Sequence, residues 1–246
     1  ARRARATLGV TSFGMQVMTL PANWDGYPNH HHDASVEDAN QEEVYVPLEA
    51  SETQLQDVMR DIADAQPDVI FCTIVGQSAR RLYQIYREHG LDPQRMPIAS
   101  LSMVEEEVRM TGVEACVGHI TSATYFSSLK NECNDRFIAL WRKRYGDRPT
   151  SMWSEAAYSQ VHLFARALER SGSLDTRKLV NAAHTVRFES PEGPLSIDAE
   201  NNHTFLTPRI GVFRSDGEFD LLWEGAGPVK PDPYLSTFGF SEFWLS

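Results

Sequence analysis

No stretch of this 246-residue chain approaches the ~20 consecutive apolar residues that a membrane-crossing helix requires. No helical membrane insertion is expected. The basic opening ARRARATLGV lacks the apolar core of a secretory signal, and it begins on Ala1 rather than methionine, which puts the expected true start upstream. A cationic surplus is also missing. Lys and Arg number 23 against 34 Asp and Glu, a formal charge of −11, so little is available to displace counterions from a phosphate backbone. Nucleic acid is excluded as a partner.

Cysteine is scarce. Cys72, Cys116 and Cys133 are odd in number and show no metal-ligand spacing, so at least one thiol has no partner within the chain. Cys72 lies inside VIFCTIV and reads as a small buried hydrophobe. Asn29 to His32 read NHHH, without an acidic or cysteine partner at ligand spacing; His30, His31 and His32 read as a solvated stretch, and no metal or cofactor is expected. Catalytic signatures are absent as well: there is no G-x-S-x-G elbow, no H-E-x-x-H and no phosphate-cradling loop. Ser127 to Lys130 match S-x-x-K but lack the companion S-D-N and K-T-G. The chain is not expected to be an enzyme.

What the chain does contain is 41% hydrophobic and 23% charged residues, a globular composition. One pattern repeats along its first half. VYVPL at 44–48 is strand-like, and a helix follows at 53–65 with Leu55, Val58, Met59 and Ile62 at helical spacing after a Ser51 cap. DVIFCTIV at 68–75 is a nearly continuous apolar run, as in a strand covered on both faces. A helix at 76–90, the strand PIASL, the helix VEEEVRM and the strand-like VGHITSATYF at 117–126 complete the series. Strands alternating with helices over short connections specify a parallel sheet, so the fold class is α/β.

The second half has a different texture. Helices are expected at 130–146, with Phe137, Leu140, Trp141 and Arg144 on one face, and at 151–172, with the stripe Ala157, Val161, Phe164, Ala165 and Leu168. A third, at 175–186, opens on Asp175 as its cap. Asp216-Gly217 between two alternating runs signals a hairpin. Three amphipathic helices thus need a sheet, and only the strands before residue 126 supply one.

VYVPL, LQDVMRDI, DVIFCTIVGQSARRLY, MPIASLSMVEEEV, ATYFSSLKN, SEAAY, NNHTFLTPRIGVFRSDGEFDLLW and VKPDPY resemble, in this order, the C-terminal two thirds of type I periplasmic-binding-protein-like receptors. The branch they resemble contains the amide sensor of aliphatic amidase operons and the substrate-binding proteins of urea and short-chain amide ABC transporters. The resemblance implies a doubly wound parallel-sheet lobe, three-layer α/β/α, with remnants of a second lobe. Residues 42–122 with 199–246 would form the second ligand-binding lobe. Residues 123–198 would be the crossover and helices of an incomplete first lobe, truncated at its N-terminal side, and residues 1–41 depart from the family pattern and read as irregular.

Ligands of open parallel sheets bind beyond the carboxyl ends of strands, where helix N-termini point their N–H groups. Three such ends are Val75-Gly76-Gln77-Ser78, Ser100-Leu101-Ser102-Met103 and Ala123-Thr124-Tyr125. Gly76 permits close backbone approach, Ser78 and Ser102 offer hydroxyls, and Tyr125 offers an aromatic wall with a polar tip. None carries fixed charge, which suits a small neutral polar ligand such as an amide or urea. Ser78 and Ser102 also read as helix caps, and Glu105, Glu106 and Glu107 as carboxylates favoured by a helix dipole.

The leading reading is a solute receptor for a short-chain amide or urea. Its partner would be an ABC permease or a cytoplasmic regulatory protein, and homo-oligomerisation is left open. A transporter protein would be periplasmic and need an upstream signal; a sensor would be cytoplasmic, and the acidic charge and VKPDPY tail lean that way. A branched-chain-amino-acid-type binding protein and an α/β amide hydrolase are the alternatives. The stripes of the helices at 151–172 and 175–186 are expected to lie exposed or to pack in a way the family does not show, because the sheet that should cover them is missing.

Overall fold

The computed structural model describes residues 44–233. His30, His31, His32, the rest of 1–43 and the end of the tail lie outside the described residues. Ser51 caps α1 (Glu52–Ala65) through a reciprocal box with Gln54, and Leu55 and Met59 point into the core. β1 (Ile70–Cys72) leads into α2 (Gly76–Glu88), whose Leu82, Tyr83, Ile85 and Tyr86 are buried. β2 (Ile98–Ser100), α3 (Glu105–Thr111), α4 (Val113–Cys116) and β3 (Ile120–Ala123) follow. The three strands are parallel and in register, Cys72 beside Ser100 and Ser100 beside Thr121. This is the expected α/β fold with a parallel sheet.

The chain then leaves this sheet. α5 (Glu132–Tyr145), α6 (Met152–Ser171) and α7 (Thr176–Ala183) precede an antiparallel sheet of β4 (Arg187–Ser190), β5 (Gly193–Ile197) and β6 (Thr204–Phe205). It returns as the hairpin β7 (Arg209–Phe213) and β8 (Phe219–Glu224), turned at Asp216-Gly217. β7 pairs antiparallel with β3, giving the order β1-β2-β3-β7-β8. The caps expected at Ser51 and Asp175 are present, the latter accepting from the Lys178 N–H at 3.0 Å.

VYVPL is not a strand. Residues 44–48 enter no ladder, and Tyr45 and Leu48 are 76% and 74% exposed. A β-propensity run needs a neighbouring edge to satisfy its backbone. Here the segment is held from the side by Ser78. The strands expected at 97–101 and 117–126 shorten to β2 and β3, and Tyr125 and Phe126 turn inward from the loop after β3.

Among the described residues, two apolar surfaces stay open. The sheet face bearing Cys72, Ser100, Thr121 and Phe213 is buried, while on the opposite face Phe71 is 67% exposed and Ala99, Ile120, Ile210 and Val212 are half-buried. On α6, Ser159, Leu163 and Ala167 are buried, whereas Val161, nearly half a turn round from them, and Phe164, about 100° round from Leu163, are 66% and 56% exposed. A helix apolar on two opposite faces is built to be covered on both.

Within the buried face, Gly211 sits where a bulge shifts the β7–β8 register, and an added Cβ would stand 2.8 Å from the Phe126 ring. Both Phe126 and Phe219 are buried and packed on each other, so neither can give way. Gly211→Ala should cost about 1–3 kcal/mol by overpacking, read as a lowered denaturation midpoint. Phe164→Glu, by contrast, should change the stability of this chain by less than about 0.5 kcal/mol, because its ring has no cover to lose.

Candidate functional site

The carboxyl ends of β1, β2 and β3 share one edge, fixed by the parallel register. After β1 the chain turns at Gly76, whose φ of +66° is the left-handed region that a residue with a Cβ adopts only at a cost. Val75 is the N-cap of α2 and offers no side-chain acceptor, and the first turn carries no acid. The amides of α2's first turn therefore face the edge unspent by any cap, with the positive end of the helix dipole behind them. Val75, Gly76 and Gln77 are exposed there.

The neighbouring loops are stitched by hydroxyls. Ser100 Oγ accepts the N–H groups of Ser102 and Met103, both at 3.0 Å, bending the chain away from β2. Ser102 Oγ donates to the Ile74 carbonyl at 3.0 Å and ties the loop after β2 to the loop after β1. Thr121 Oγ1 donates to the Ser100 carbonyl at 3.0 Å, adding β3 to the seam. Ser102 is half-buried; with its proton spent on Ile74, its oxygen is left as an acceptor. The edge thus carries donors at α2 and an acceptor at Ser102.

Four of the nine sequence-expected site residues face inward. Ser78 is buried, its Oγ donating to the Leu48 carbonyl at 2.7 Å and accepting from the Ala50 N–H at 3.0 Å, so it anchors the incoming chain and does not cap α2. Met103 and Ser100 are buried beneath the loop. Tyr125 is fully buried, its hydroxyl engaged with Asn134 at 2.8 Å and Thr150 at 2.9 Å, so its polar tip is spent inside the protein. Thr124 is half-buried, and its carbonyl accepts from Arg209. Val75, Gly76, Gln77 and Ser102 remain together at the open edge.

Glu105 lies in the first turn of α3, as the helix-dipole reading expects, but it is buried rather than solvated. Its Oε1 accepts the Ser127 N–H at 2.6 Å, its Oε2 has no partner, and burial pushes its pKa up to about 7. Glu106 and Glu107 do face outward, pairing with Arg148 and Arg80. The signal was present: Glu105 shares a helix side with buried Val108 at spacing i, i+3. Three consecutive glutamates concealed which one it was.

Among the described residues no cluster of three or more His, Cys, Asp or Glu could hold a metal, and no helix is long and apolar enough to cross a membrane. A hollow of ≈ 380 Å³ lies on the antiparallel-sheet side, lined by Arg166, Glu169, Arg170, Val186 and Arg187. None of the carboxyl-edge residues lines it, and it takes no part in this site.

A family model described as periplasmic binding protein domain matches residues 31–239. The chain is 31% identical over 127 residues to limonene hydroxylase of Geobacillus stearothermophilus, covering 51% of this chain and 23% of that protein. It is 25% identical over 166 residues to Leu/Ile/Val-binding protein homolog 6 of Brucella melitensis, covering 66% of this chain and 42% of the relative. Among solved structures it resembles the solute binding protein of an ABC transporter from Rhodopseudomonas palustris BisB5 in complex with 3,4-dihydroxy benzoic acid. That similarity has a TM-score of 0.66 at 25% identity, over 76% of this chain and 52% of the other. The chain spans about half the length of these relatives or less.

The buried Glu105 generates a pH test. Its folded-state pKa is raised, so its contribution to stability is complete below the ordinary carboxylate range and is lost as pH rises through about 7. Glu105→Gln keeps an oxygen for the Ser127 N–H and cannot ionise. Melting temperatures of wild type and variant should converge at pH 5, with the variant higher at pH 9; a wild-type advantage growing with pH would contradict the assignment.

Proposed function

The chain belongs to the periplasmic binding protein domain family, and from that premise we propose that it is the solute-binding component of an ABC transporter, handing a small solute to a permease outside the cytoplasm. The observation that carries this is the uncapped start of α2 beside the acceptor oxygen of Ser102, at the carboxyl edge of a parallel sheet. That pair fits a solute with an oxygen acceptor at one position and an N–H or O–H a short distance away. Hydroxybenzoates meet the requirement, and a hydroxylated benzoic acid is what the Rhodopseudomonas protein holds. The helix start stabilises negative charge, which ranks a carboxylate above an amide.

Short-chain amides and urea are the second reading, favoured by the lack of a fixed cation among Val75, Gly76, Gln77 and Ser102. Branched-chain amino acids fall between, and the Brucella relative is named for them. The reading is of a binding protein and not an enzyme, since the edge pairs no nucleophile with a base. The lean towards a cytoplasmic sensor, drawn from the acidic charge and the VKPDPY tail, gives way in this reading to the periplasmic location that the family description carries.

Residues 42–122 with 199–246 form, in this reading, one lobe of a two-lobed receptor, and 123–198 belong to the other. The exposed stripe of α6 supports it: Val161 and Phe164 present an apolar face suited to a further sheet layer, such as the part of its relatives that this chain does not match would supply. The opposite wall of the solute cleft would come from the same part.

Calorimetric titration of the chain with 3,4-dihydroxybenzoate, leucine, acetamide and urea tests the proposal. Affinities weaker than about 1 mM are expected, with the aromatic acid leading. Gln77→Glu should weaken acid binding and leave acetamide unaffected, because it sets a carboxylate against the α2 start. Micromolar affinity would show that one wall suffices, and steady hydrolysis of an amide by purified protein would overturn the receptor reading.

A further inference from the structure

Positive charge is scarce in this chain, yet three guanidiniums gather around one hollow. Its ≈ 380 Å³ are lined by Arg166, Glu169 and Arg170 of α6 and by Val186 and Arg187 where β4 begins. Arg166 and Arg170 are spaced i, i+4 and share one side of the helix, where like charges repel. The negative end of the α6 dipole accounts for Arg170 in the last turn. It does not account for Arg166 a turn earlier, nor for Arg187 on another element.

Two of the three are held in place without a counter-ion. The Arg166 guanidinium lies 4.9 Å from the centroid of the Phe188 ring, which is itself buried and stacked on His162 at 5.2 Å. Arg187 Nη1 donates to the Val186 carbonyl at 2.9 Å and the His184 carbonyl at 3.3 Å. Its Nε and Nη2, and the whole Arg170 head, have no partner among the described residues. Elsewhere this acidic protein pairs its arginines: Arg80, Arg81, Arg148 and Arg214 each reach a carboxylate. Around the hollow, three guanidiniums face one carboxylate, Glu169, and that acid makes no ion pair among the described residues, so two positive charges are in excess. The hollow also lies clear of the open apolar stripe. Arg166 and Arg170 sit between about 120° and 180° round α6 from Val161 and Phe164, so a layer laid on that stripe reaches the helix from the other side.

We propose that this hollow binds a small phosphomonoester as its dianion. The two excess positive charges match the phosphate charge, and planar guanidiniums grip phosphate oxygens through paired N–H donors. The volume falls within the ~300–1,000 Å³ of small-molecule sites and leaves room for an organic remainder beside the phosphate. Buried Val186 gives that remainder an apolar floor, and the Glu169 carboxylate can accept from a hydroxyl on it. A phosphate held by Arg170 and Arg187 together bridges α6 to β4, so occupancy stabilises the joint between them. The site is separate from the α2 edge and rests on none of the solute reading.

Phosphorus NMR of glycerol phosphate, titrated with the full 246-residue chain at about pH 8 and constant ionic strength, tests the site. Saturable line broadening is expected, half complete below about 5 mM. Arg170→Ala should weaken binding at least about fivefold, since it removes a charged donor whose side chain supports nothing else in the fold. Glu169→Gln removes the opposing charge and should tighten binding about twofold, whereas Gln77→Glu, at the α2 edge, should leave it unchanged. The ester should also raise the melting temperature of the wild type and not that of Arg170→Ala. Succinate, whose two charges are set apart, should bind at least about fivefold more weakly; equal or tighter binding would overturn the phosphate assignment. Broadening that does not saturate by about 20 mM, or that persists at full strength in Arg170→Ala and Arg187→Ala, would overturn the site itself. Loss in Gln77→Glu with full retention in the arginine variants would place the anion at the start of α2 and equally overturn it.

Discussion

The antiparallel pairing of β3 with β7 is the constraint on which the rest of the structure depends. It joins Ile120 to Val212 and Ala123 to Arg209, residues about ninety positions apart, so a large loop is closed before any gain is made. What offsets that cost is a set of contacts made by the hairpin: Phe213 and Phe219 packed in the core, and buried Arg209 bonded to the Thr124 and Thr207 carbonyls and to Glu224. With β7 in place, β3 is an interior strand and the carboxyl ends of β1, β2 and β3 are held level. The start of α2 and the loop carrying Ser102 inherit their position from that alignment.

The same pairing explains where charge is buried. A chain with a formal charge of −11 has carboxylates to spare, and most are solvated. Among the described residues four are not, and each sits where the backbone leaves a sheet or enters a helix: Glu105 on the Ser127 amide, Glu155 in the first turns of α6, Glu192 in the β4–β5 turn, and Asp198 after β5 on the Glu200 and Asn201 amides. The edge at the start of α2, by contrast, carries backbone donors and a hydroxyl acceptor without fixed charge. Ionisable chemistry in this molecule belongs to the joints, and neutral hydrogen-bonding chemistry to the edge.

Open apolar surface is the third consequence. The sheet face with Phe71 and the α6 face with Val161 and Phe164 are apolar by sequence and uncovered among the described residues. Both belong to elements whose other side is well packed. A fold with one good face per layer and one open face per layer has the character of part of a larger assembly, consistent with a chain that spans about half of its relatives.

Much of this was legible in the sequence. Alternating apolar runs and helical stripes specified the α/β class, Asp216-Gly217 located the hairpin, Ser51 and Asp175 located helix starts, and the surplus stripe on α6 announced its uncovered face. These signals are local, or depend only on which side of an element is apolar. VYVPL misled because strand propensity is realised only against a neighbouring edge. Ser78 and Tyr125 misled because a hydroxyl near a strand end is equally suited to a ligand, a loop or the interior, and which one takes it depends on groups far along the chain: Leu48, Asn134, Thr150. The burial of Glu105, Glu155 and Glu192 was decided in the same way. Sequence by itself determined the elements and their apolar sides; only the tertiary structure decided which polar groups were already spent, because hydrogen-bond partners are set by distance in space and not by separation along the chain.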